Sequence, residues 1–196
     1  KQGFCRAIGK EIQVARTALH FWEEPCISGE RGSGAVFFSG CSMGCVFCQN
    51  ETISHGKTGE EISVENLADI FLNLQNQKHA HNINLVTPTH YVPQIAEALQ
   101  IAKKEGLAIP IVYNSSAYEK KETLQMMEGL IDIYLPDFKY SDAVLAKKLS
   151  AAPDYPQIAS AAILEMYQQV GGAVIEDEQM TRGVIIRHLV LPGHMD

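Results

Sequence analysis

The sequence contains no apolar run near the roughly 18 residues that a membrane-spanning helix needs. It also lacks the basic start, short apolar stretch and small-residue cleavage site of a secretion signal. Concentrated basic residues are missing too: the formal charge is −7, the pI is about 5.5, and the lysine pairs are isolated. These absences argue against a membrane or a nucleic acid as partner.

Cysteine is scarce and unevenly spaced. There are five cysteines in 196 residues, and three of them, Cys41, Cys45 and Cys48, lie close together. A disulfide framework would instead tie distant segments to each other. Clustering of this kind is typical of thiolates around a metal in a reducing compartment. We therefore expect the protein to be located in the cytoplasm.

Short apolar runs alternate with amphipathic stretches along most of the chain. The apolar runs, rich in β-branched residues, predict buried strands at 34–40, 83–88, 109–115, 131–138 and 184–191. Helical periodicity lies between them, with Ser63 and Ser141 placed as N-caps. Strands alternating with helices predict an α/β fold with a parallel sheet and right-handed crossovers.

The length suits one domain with a short appendage. We expect an N-terminal extension at 1–33 and a core at 34–196, with a small hairpin insertion at 173–183. The last strand is not followed by a helix that would cover it. We therefore expect an open, partial barrel, incomplete at its C-terminus.

The motif Cys41-Ser-Met-Gly-Cys45-Val-Phe-Cys48 follows the first of these strands. Three thiolates on one loop can bind three corners of an iron–sulfur cubane. Such clusters normally have four cysteines, so one iron would stay open to a small molecule. The alternative is zinc, which needs a fourth ligand such as Cys26, His20 or His55. Spacing alone leaves both metals open.

With Phe47 before its last cysteine, this motif resembles that of the radical S-adenosylmethionine superfamily. More narrowly, the chain is similar to proteins like pyruvate formate-lyase activating enzyme in four segments, 34–53, 84–94, 135–142 and 185–193. The resemblance implies a partial (β/α)6 barrel in which Cys41, Cys45 and Cys48 hold a [4Fe–4S] cluster. S-adenosylmethionine would chelate the fourth iron and be cleaved reductively to a 5′-deoxyadenosyl radical.

The same resemblance implies cofactor contacts at the ends of the first two predicted strands. Phe47 would approach the adenine. The family's Gly-Gly-Glu stretch, which binds the cofactor's amino group, falls on Pro88-Thr89-His90, and this is a departure from the pattern. Thr87, Thr89 or backbone carbonyls could replace those contacts. His90, which ends the strand, is a further candidate for the pocket, with a helix-start histidine as the alternative.

Further contacts are implied on the later strands. Asp137 and Lys139 match an Asp-x-Lys whose lysine meets the cofactor's carboxylate, while Asn114 and Ser115 line the site and Arg187 is a weaker candidate. A surface ion pair between Asp137 and Lys139, contributing about 0–1 kcal/mol and no function, is the alternative.

The resemblance also implies partners: an electron donor such as flavodoxin or ferredoxin, and a protein substrate that carries the glycine to be activated. Two alternatives stay open. One is a radical enzyme for a small molecule or a peptide; the other is a zinc-stabilised binding module without catalysis.

Overall fold

One sheet of eight strands organises residues 11–55 and 58–194, which the computed structural model describes. The strands, in chain order, are β1 (Ile12–His20), β2 (Ser33–Phe38), β3 (Glu60–Ile62), β4 (Ile83–Val86), β5 (Ile111–Ser115), β6 (Ile133–Pro136), β7 (Val174–Glu176) and β8 (Gln179–Val184). Their order across the sheet is β3-β1-β2-β4-β5-β6-β8-β7.

The five neighbouring strands β2, β4, β5, β6 and β8 run parallel, whereas β1, β3 and β7 pair antiparallel at the two sides. Parallel strands end at the same edge of a sheet, which is where α/β folds place their ligands. The arrangement confirms the predicted α/β fold and is compatible with a partial barrel.

Helices follow most of the strands. They are α1 (Pro25–Ser28), α2 (Glu51–Ser54), α3 (Val64–Asn76), α4 (Val92–Lys104), α5 (Lys121–Gln125), α6 (Ala143–Ser150) and α7 (Tyr155–Val170), and a 3-10 turn at Thr89–Tyr91 precedes α4. In the described residues, none of them is long and apolar enough to cross a membrane.

The two faces of the sheet are buried differently. One face packs against α3 to α7 in the main apolar core, which includes Phe38, Leu85 and Tyr113. The other, which we call the inner face, carries a small cluster of Val112, Ile133, Leu135 and Met180, closed by Ile27 of α1. Successive side chains alternate between the faces. Asn84 is level with Val112, and Asn114 with Leu135, so both amides lie on the inner face.

The last parallel strand begins earlier than predicted. It was expected at 184–191, but β8 begins at Gln179. Beyond Val184 the Ile185 and Arg187 N–H groups donate to the Tyr134 and Pro136 carbonyls at 3.0 and 2.9 Å, and the pairing with β6 extends to a bridge between Asp137 and Arg187. The predicted hairpin at 173–183 does form, yet its second strand also pairs with β6 and so belongs to the sheet. Gly183, at φ +125°, permits this because a Cβ there would lie 2.6 Å from the Ala173 Cα.

Two further expectations concern the chain's start and a helix cap. β1 and α1 place residues 12–28 in and against the sheet, whereas residues 1–10 of the predicted extension lie outside the described residues. The boundary at residue 33 stays a prediction. The prediction that Ser141 caps α6 is wrong. Asp142 is the N-cap, and its side chain accepts a hydrogen bond from the Val144 N–H at 2.8 Å.

Candidate active site

The three clustered cysteines lie on the loop that joins β2 to α2, at the carboxyl edge of the parallel strands. Cys41, Cys45 and Cys48 are partly exposed, and their thiols are free. Gly40 begins the loop at φ +94°, a left-handed conformation that glycine adopts without strain. Its N–H donates to the Ile53 carbonyl at 2.9 Å, so the loop closes on the helix that follows it.

Each thiol has a different neighbour. The Ser150 hydroxyl donates to Cys45 Sγ at 2.9 Å, and the Met43 N–H donates to Cys41 Sγ at 3.4 Å. Cys48 Sγ lies 3.6 Å from the Ser54 hydroxyl oxygen. The sulfur atoms are thus held by contacts from the loop, α2 and α6.

The electrostatics of the loop favour neutral thiols. Burial raises the pKa of Cys41 to about 11, the Met43 N–H opposes the rise, and the neighbouring Cys45 and Cys48 add to it. Burial also raises the pKa of Cys45, against the hydrogen bond from Ser150 and the positive charge of Lys139. The three sulfurs are therefore close enough to repel one another as thiolates, and the positive charge of Lys139 acts on two of them.

Lys139 belongs to a charged group at the end of β6. Its ammonium donates to Asp137 Oδ2 at 2.6 Å, and Arg187 Nε donates to Asp137 Oδ1 at 2.8 Å. The side chains of Lys139, Asp137 and Arg187 are 14%, 25% and 28% exposed. The Asp137–Lys139 ion pair is thus more enclosed than an ordinary surface ion pair, which contributes little to stability.

Glu23, from the segment before α1, completes this group on the inner face. Its carboxylate accepts from Arg187 at 3.1 Å, from the Asn84 amide at 3.1 Å and from the Asn114 amide at 3.3 Å. Arg187 also donates to the Asn114 amide oxygen at 2.6 Å. We call Glu23, Asn84, Asn114, Asp137, Lys139 and Arg187 the strand-end network.

A buried carboxyl group occupies the opposite side of β5. Glu119 accepts hydrogen bonds from the Tyr113 hydroxyl at 2.5 Å and the Ser115 hydroxyl at 2.6 Å, and it also bonds to Thr89. Burial raises the pKa of Glu119, and these hydrogen bonds oppose the rise. Ser115 and Thr89 therefore meet at Glu119, on the face opposite to that of Asn114.

The end of β4 is unusual in its backbone and its polar atoms. Thr87 is β-branched yet adopts φ +60°, and its N–H donates to the Asn114 carbonyl at 2.9 Å. Strain of this kind clusters at functional sites. His90 Nε2 donates to the Ser39 carbonyl at 2.6 Å, while its Nδ1 is buried without a hydrogen-bond partner. Burial lowers the pKa of His90, which favours the neutral ring.

The sequence model of the Radical SAM superfamily matches residues 35–194. The chain belongs to this superfamily. The match contains the cysteine loop and all of the strand-end network except Glu23, so the residues that the structure brings together are largely those that the family model spans.

One relative of this radical SAM chain is the uncharacterized protein MJ0674 of Methanocaldococcus jannaschii. It is 32% identical over 205 residues, an alignment that covers all of this chain and 54% of the relative. The chain therefore spans about half the length of the curated relative that it matches.

The donor set fits a [4Fe–4S] cluster, the group that radical SAM proteins generally use, better than a single ion. Among residues 11–55 and 58–194, no three histidine, cysteine or acidic side chains are close enough to ligate one metal ion. A cubane is larger, because each cysteine binds a different iron, and cysteine thiolates are its usual ligands. Three free thiols on one glycine-containing loop provide this donor chemistry.

The candidate fourth ligands for zinc are engaged elsewhere in this radical SAM chain. His55 Nδ1 bonds to the Glu51 carbonyl at 2.7 Å, and the ring of His20 lies edge-on to that of Phe37, with their centroids 6.3 Å apart. Cys26 packs against the small apolar cluster of the inner face. The family match, rather than these contacts, argues against a zinc-stabilised binding module.

Three residues of this candidate site were not identified from the sequence. Glu23 follows Phe21 and Trp22 in a segment without periodicity, and no signal in the sequence connects it with Arg187. Glu119 stands next to Lys120 and Lys121 and resembles an ordinary surface residue, although only 5% of its surface is exposed. The unbonded Asn84 amide oxygen, buried on the inner face, was not identified either.

Proposed function

We propose that the protein is a radical S-adenosylmethionine enzyme in which Cys41, Cys45 and Cys48 hold a [4Fe–4S] cluster. The observation that carries this proposal is the loop of three free thiols at the carboxyl edge of the sheet, beside the charge of Lys139, in a chain of this family. When bound, the cluster supplies the electron that splits S-adenosylmethionine into methionine and a 5′-deoxyadenosyl radical.

The strand-end network orients the cofactor in this proposal. Lys139 is the cation that would meet the methionine carboxylate, because it is enclosed and lies close enough to Cys41 and Cys45 to affect their pKa values. Asp137 holds the lysine and Arg187 in place. Arg187 and Asn114 supply further hydrogen-bonding groups on the inner face.

The residues after β4 would bind the other polar end of the cofactor. The unpartnered Nδ1 of His90 is a buried acceptor, which suits the cofactor's amino group. Thr87 shapes the strand end through its left-handed backbone. Thr89 and Ser115 act through Glu119, to which both are bonded, and this group supports the ends of β4 and β5.

Phe47 would contact the adenine from the cysteine loop. Its ring packs edge-on to Tyr140, with centroids 6.5 Å apart. Tyr140 follows Lys139 directly, so the loop and the end of β6 are in contact.

The test is cofactor cleavage by anaerobically reconstituted protein. With dithionite as reductant, the native chain is expected to convert S-adenosylmethionine to 5′-deoxyadenosine and methionine, measured by chromatography. Cys45→Ala should lose both the cluster and this activity. Cys26→Ala, which changes a partly buried cysteine outside the loop, should retain both; cleavage by Cys45→Ala would refute the ligand assignment.

The finer proposal is an activating enzyme, similar to that of pyruvate formate-lyase, whose substrate is a glycine in a partner protein. Its support is the resemblance of four segments that include the cysteine loop and the Asp137–Lys139 turn. Flavodoxin or ferredoxin is the proposed electron donor, and the cytoplasm is the proposed compartment because the thiols must stay reduced.

Reduced enzyme incubated with a candidate glycyl-radical protein tests this finer proposal. A glycyl-radical signal in the electron paramagnetic resonance (EPR) spectrum, dependent on S-adenosylmethionine, is the expected result. Cofactor cleavage that transfers hydrogen from a small molecule or a peptide instead would assign the other substrate class.

A further inference from the structure

The C-terminal end of α6 is docked onto the cysteine loop. The Val46 N–H donates to the Leu149 carbonyl at 2.9 Å, and the Gly44 N–H donates to the Ser150 carbonyl at 3.3 Å. The last carbonyls of a helix have no partner within the helix. Here the cysteine loop supplies partners for two of them, so the position of Ser150 relative to Cys45 is fixed by backbone contacts.

Ser150 connects two other side chains. Its hydroxyl lies 2.9 Å from Cys45 Sγ and 2.7 Å from the Tyr140 hydroxyl. Ser150 is 1% and Tyr140 2% exposed, so water does not compete for these bonds. A deprotonated Cys45 has no proton to give. The Ser150 proton must then point at the sulfur, and the Tyr140 proton at the Ser150 oxygen.

Cys45 is distinguished by this contact from the other two cysteines. Cys41 Sγ receives a backbone N–H at 3.4 Å, and Cys48 Sγ lies 3.6 Å from the Ser54 hydroxyl. The contact at Cys45 is the shortest of the three, and a second hydroxyl polarises it further. Chains of hydrogen bonds in a low-dielectric interior strengthen one another.

We infer that Ser150, oriented by Tyr140, donates a hydrogen bond to the cluster-bound Cys45 thiolate and raises the reduction potential of the cluster. The inference rests on the proposed function. Reduction adds negative charge to the cluster and its sulfurs, so a donor aimed at a ligand sulfur stabilises the reduced state more than the oxidised one. Ser150 is thus a positioning residue that sets how easily the cluster accepts an electron.

The test compares the native protein with Ser150→Ala, Tyr140→Phe and Ser160→Ala after anaerobic reconstitution. Iron and sulfide are measured per chain, and the midpoint potential is found by EPR-monitored reductive titration. Ser150→Ala should keep its cluster and titrate at a more negative potential. Ser160→Ala is the matched control, because that hydroxyl bonds to the Pro156 carbonyl within α7. Its potential should equal that of the native protein.

Tyr140→Phe and an additional variant, Ser150→Thr, keep the inference testable if Ser150→Ala fails to bind a cluster. Tyr140→Phe removes only the second hydroxyl and should shift the potential in the same direction by a smaller amount. Ser150→Thr retains the donor and should restore the native value. Clusters with unchanged potentials in Ser150→Ala, or in Tyr140→Phe if the first does not load, would overturn the inference and leave the proposed function intact. Failure of the native chain to bind any cluster would overturn both.

Discussion

Lys139 interacts both with the strand-end network and with the cysteine loop. It bonds to Asp137 in the strand-end network, and its positive charge opposes the rise that burial causes in the pKa values of Cys41 and Cys45. A side chain in this position can connect the metal loop with a bound anion. The side chain of Lys139 is only 14% exposed, so solvent and salt screen its charge less than that of a surface lysine.

Lys139→Met is therefore expected to weaken the binding of S-adenosylmethionine while the cluster is retained. Hydrogen bonds to charged groups contribute about 1.5–3 kcal/mol, which corresponds to a loss of affinity of about ten- to hundredfold. Equilibrium dialysis with the cluster-loaded protein measures it. Lys147→Met, an exposed lysine on α6, is the control; equal affinities of both variants would exclude Lys139 from the site.

The candidate site residues could be named from the sequence only where a motif or the family resemblance carries them. The three cysteines, Asp137, Lys139 and Arg187 were named in advance, and the structure brings the last three into direct contact. Glu23 and Glu119 were not, since their roles depend on burial and on partners distant in the chain. Position in a motif is visible in a sequence, whereas enclosure is not.

Helix α6 shows how local capping and site geometry are linked. It begins at a cap formed by Asp142 and ends at Ala151, which has φ +56°, directly after Ser150. Between these points it places Leu149 and Ser150 against the cysteine loop. A change at its N-terminus should therefore alter stability without touching the cysteines.

Asp142→Ala is expected to lower the free energy of unfolding by about 1 kcal/mol, because the Val144 N–H loses its partner and the first turn loses a favourable negative charge. Urea unfolding of the cluster-free protein measures it. Ser141→Ala should change stability by less than about 0.5 kcal/mol. The opposite ranking would contradict the assignment of the cap.

The elements of the fold were predictable to different degrees. Buried strands at β2, β4, β5 and β6 and the main helices were found from apolar runs and periodicity. The start of β8 was predicted too late because Gly183 was taken as a hairpin end, although it pairs with Ile133 inside the strand and approaches Ala173 closely. β1 and β3 were not predicted; in β1, only Ile12 and Val14 are buried, which is a short alternation.

Across the molecule, the N-terminal segment and the last parallel strand meet at one point. Glu23 lies before α1 and Arg187 follows β8, and their charged groups are 3.1 Å apart. The ion pair thus fastens the segment that closes the inner face to the opposite end of the chain. Both side chains are largely enclosed, at 10% and 28% exposed.

Glu23→Ala should consequently destabilise the protein by about 1.5–3 kcal/mol, since Arg187 and two buried amides lose a charged acceptor. Urea unfolding of the cluster-free protein quantifies the loss. Glu30→Ala removes an exposed carboxylate of the same segment and is expected to have little effect. If the two variants unfold alike, the ion pair does not fasten the segment.

The proposed chemistry requires that three cysteines bind one cluster with an iron left open to the cofactor. The deciding measurement is the EPR spectrum of the reduced, reconstituted protein, recorded with and without S-adenosylmethionine, together with its iron and sulfide content. We expect one [4Fe–4S] cluster per chain and a spectrum that changes when the cofactor is added. A chain that takes up no iron and sulfide would contradict the proposed function. A cluster whose spectrum stays unchanged when S-adenosylmethionine is added would contradict it as well.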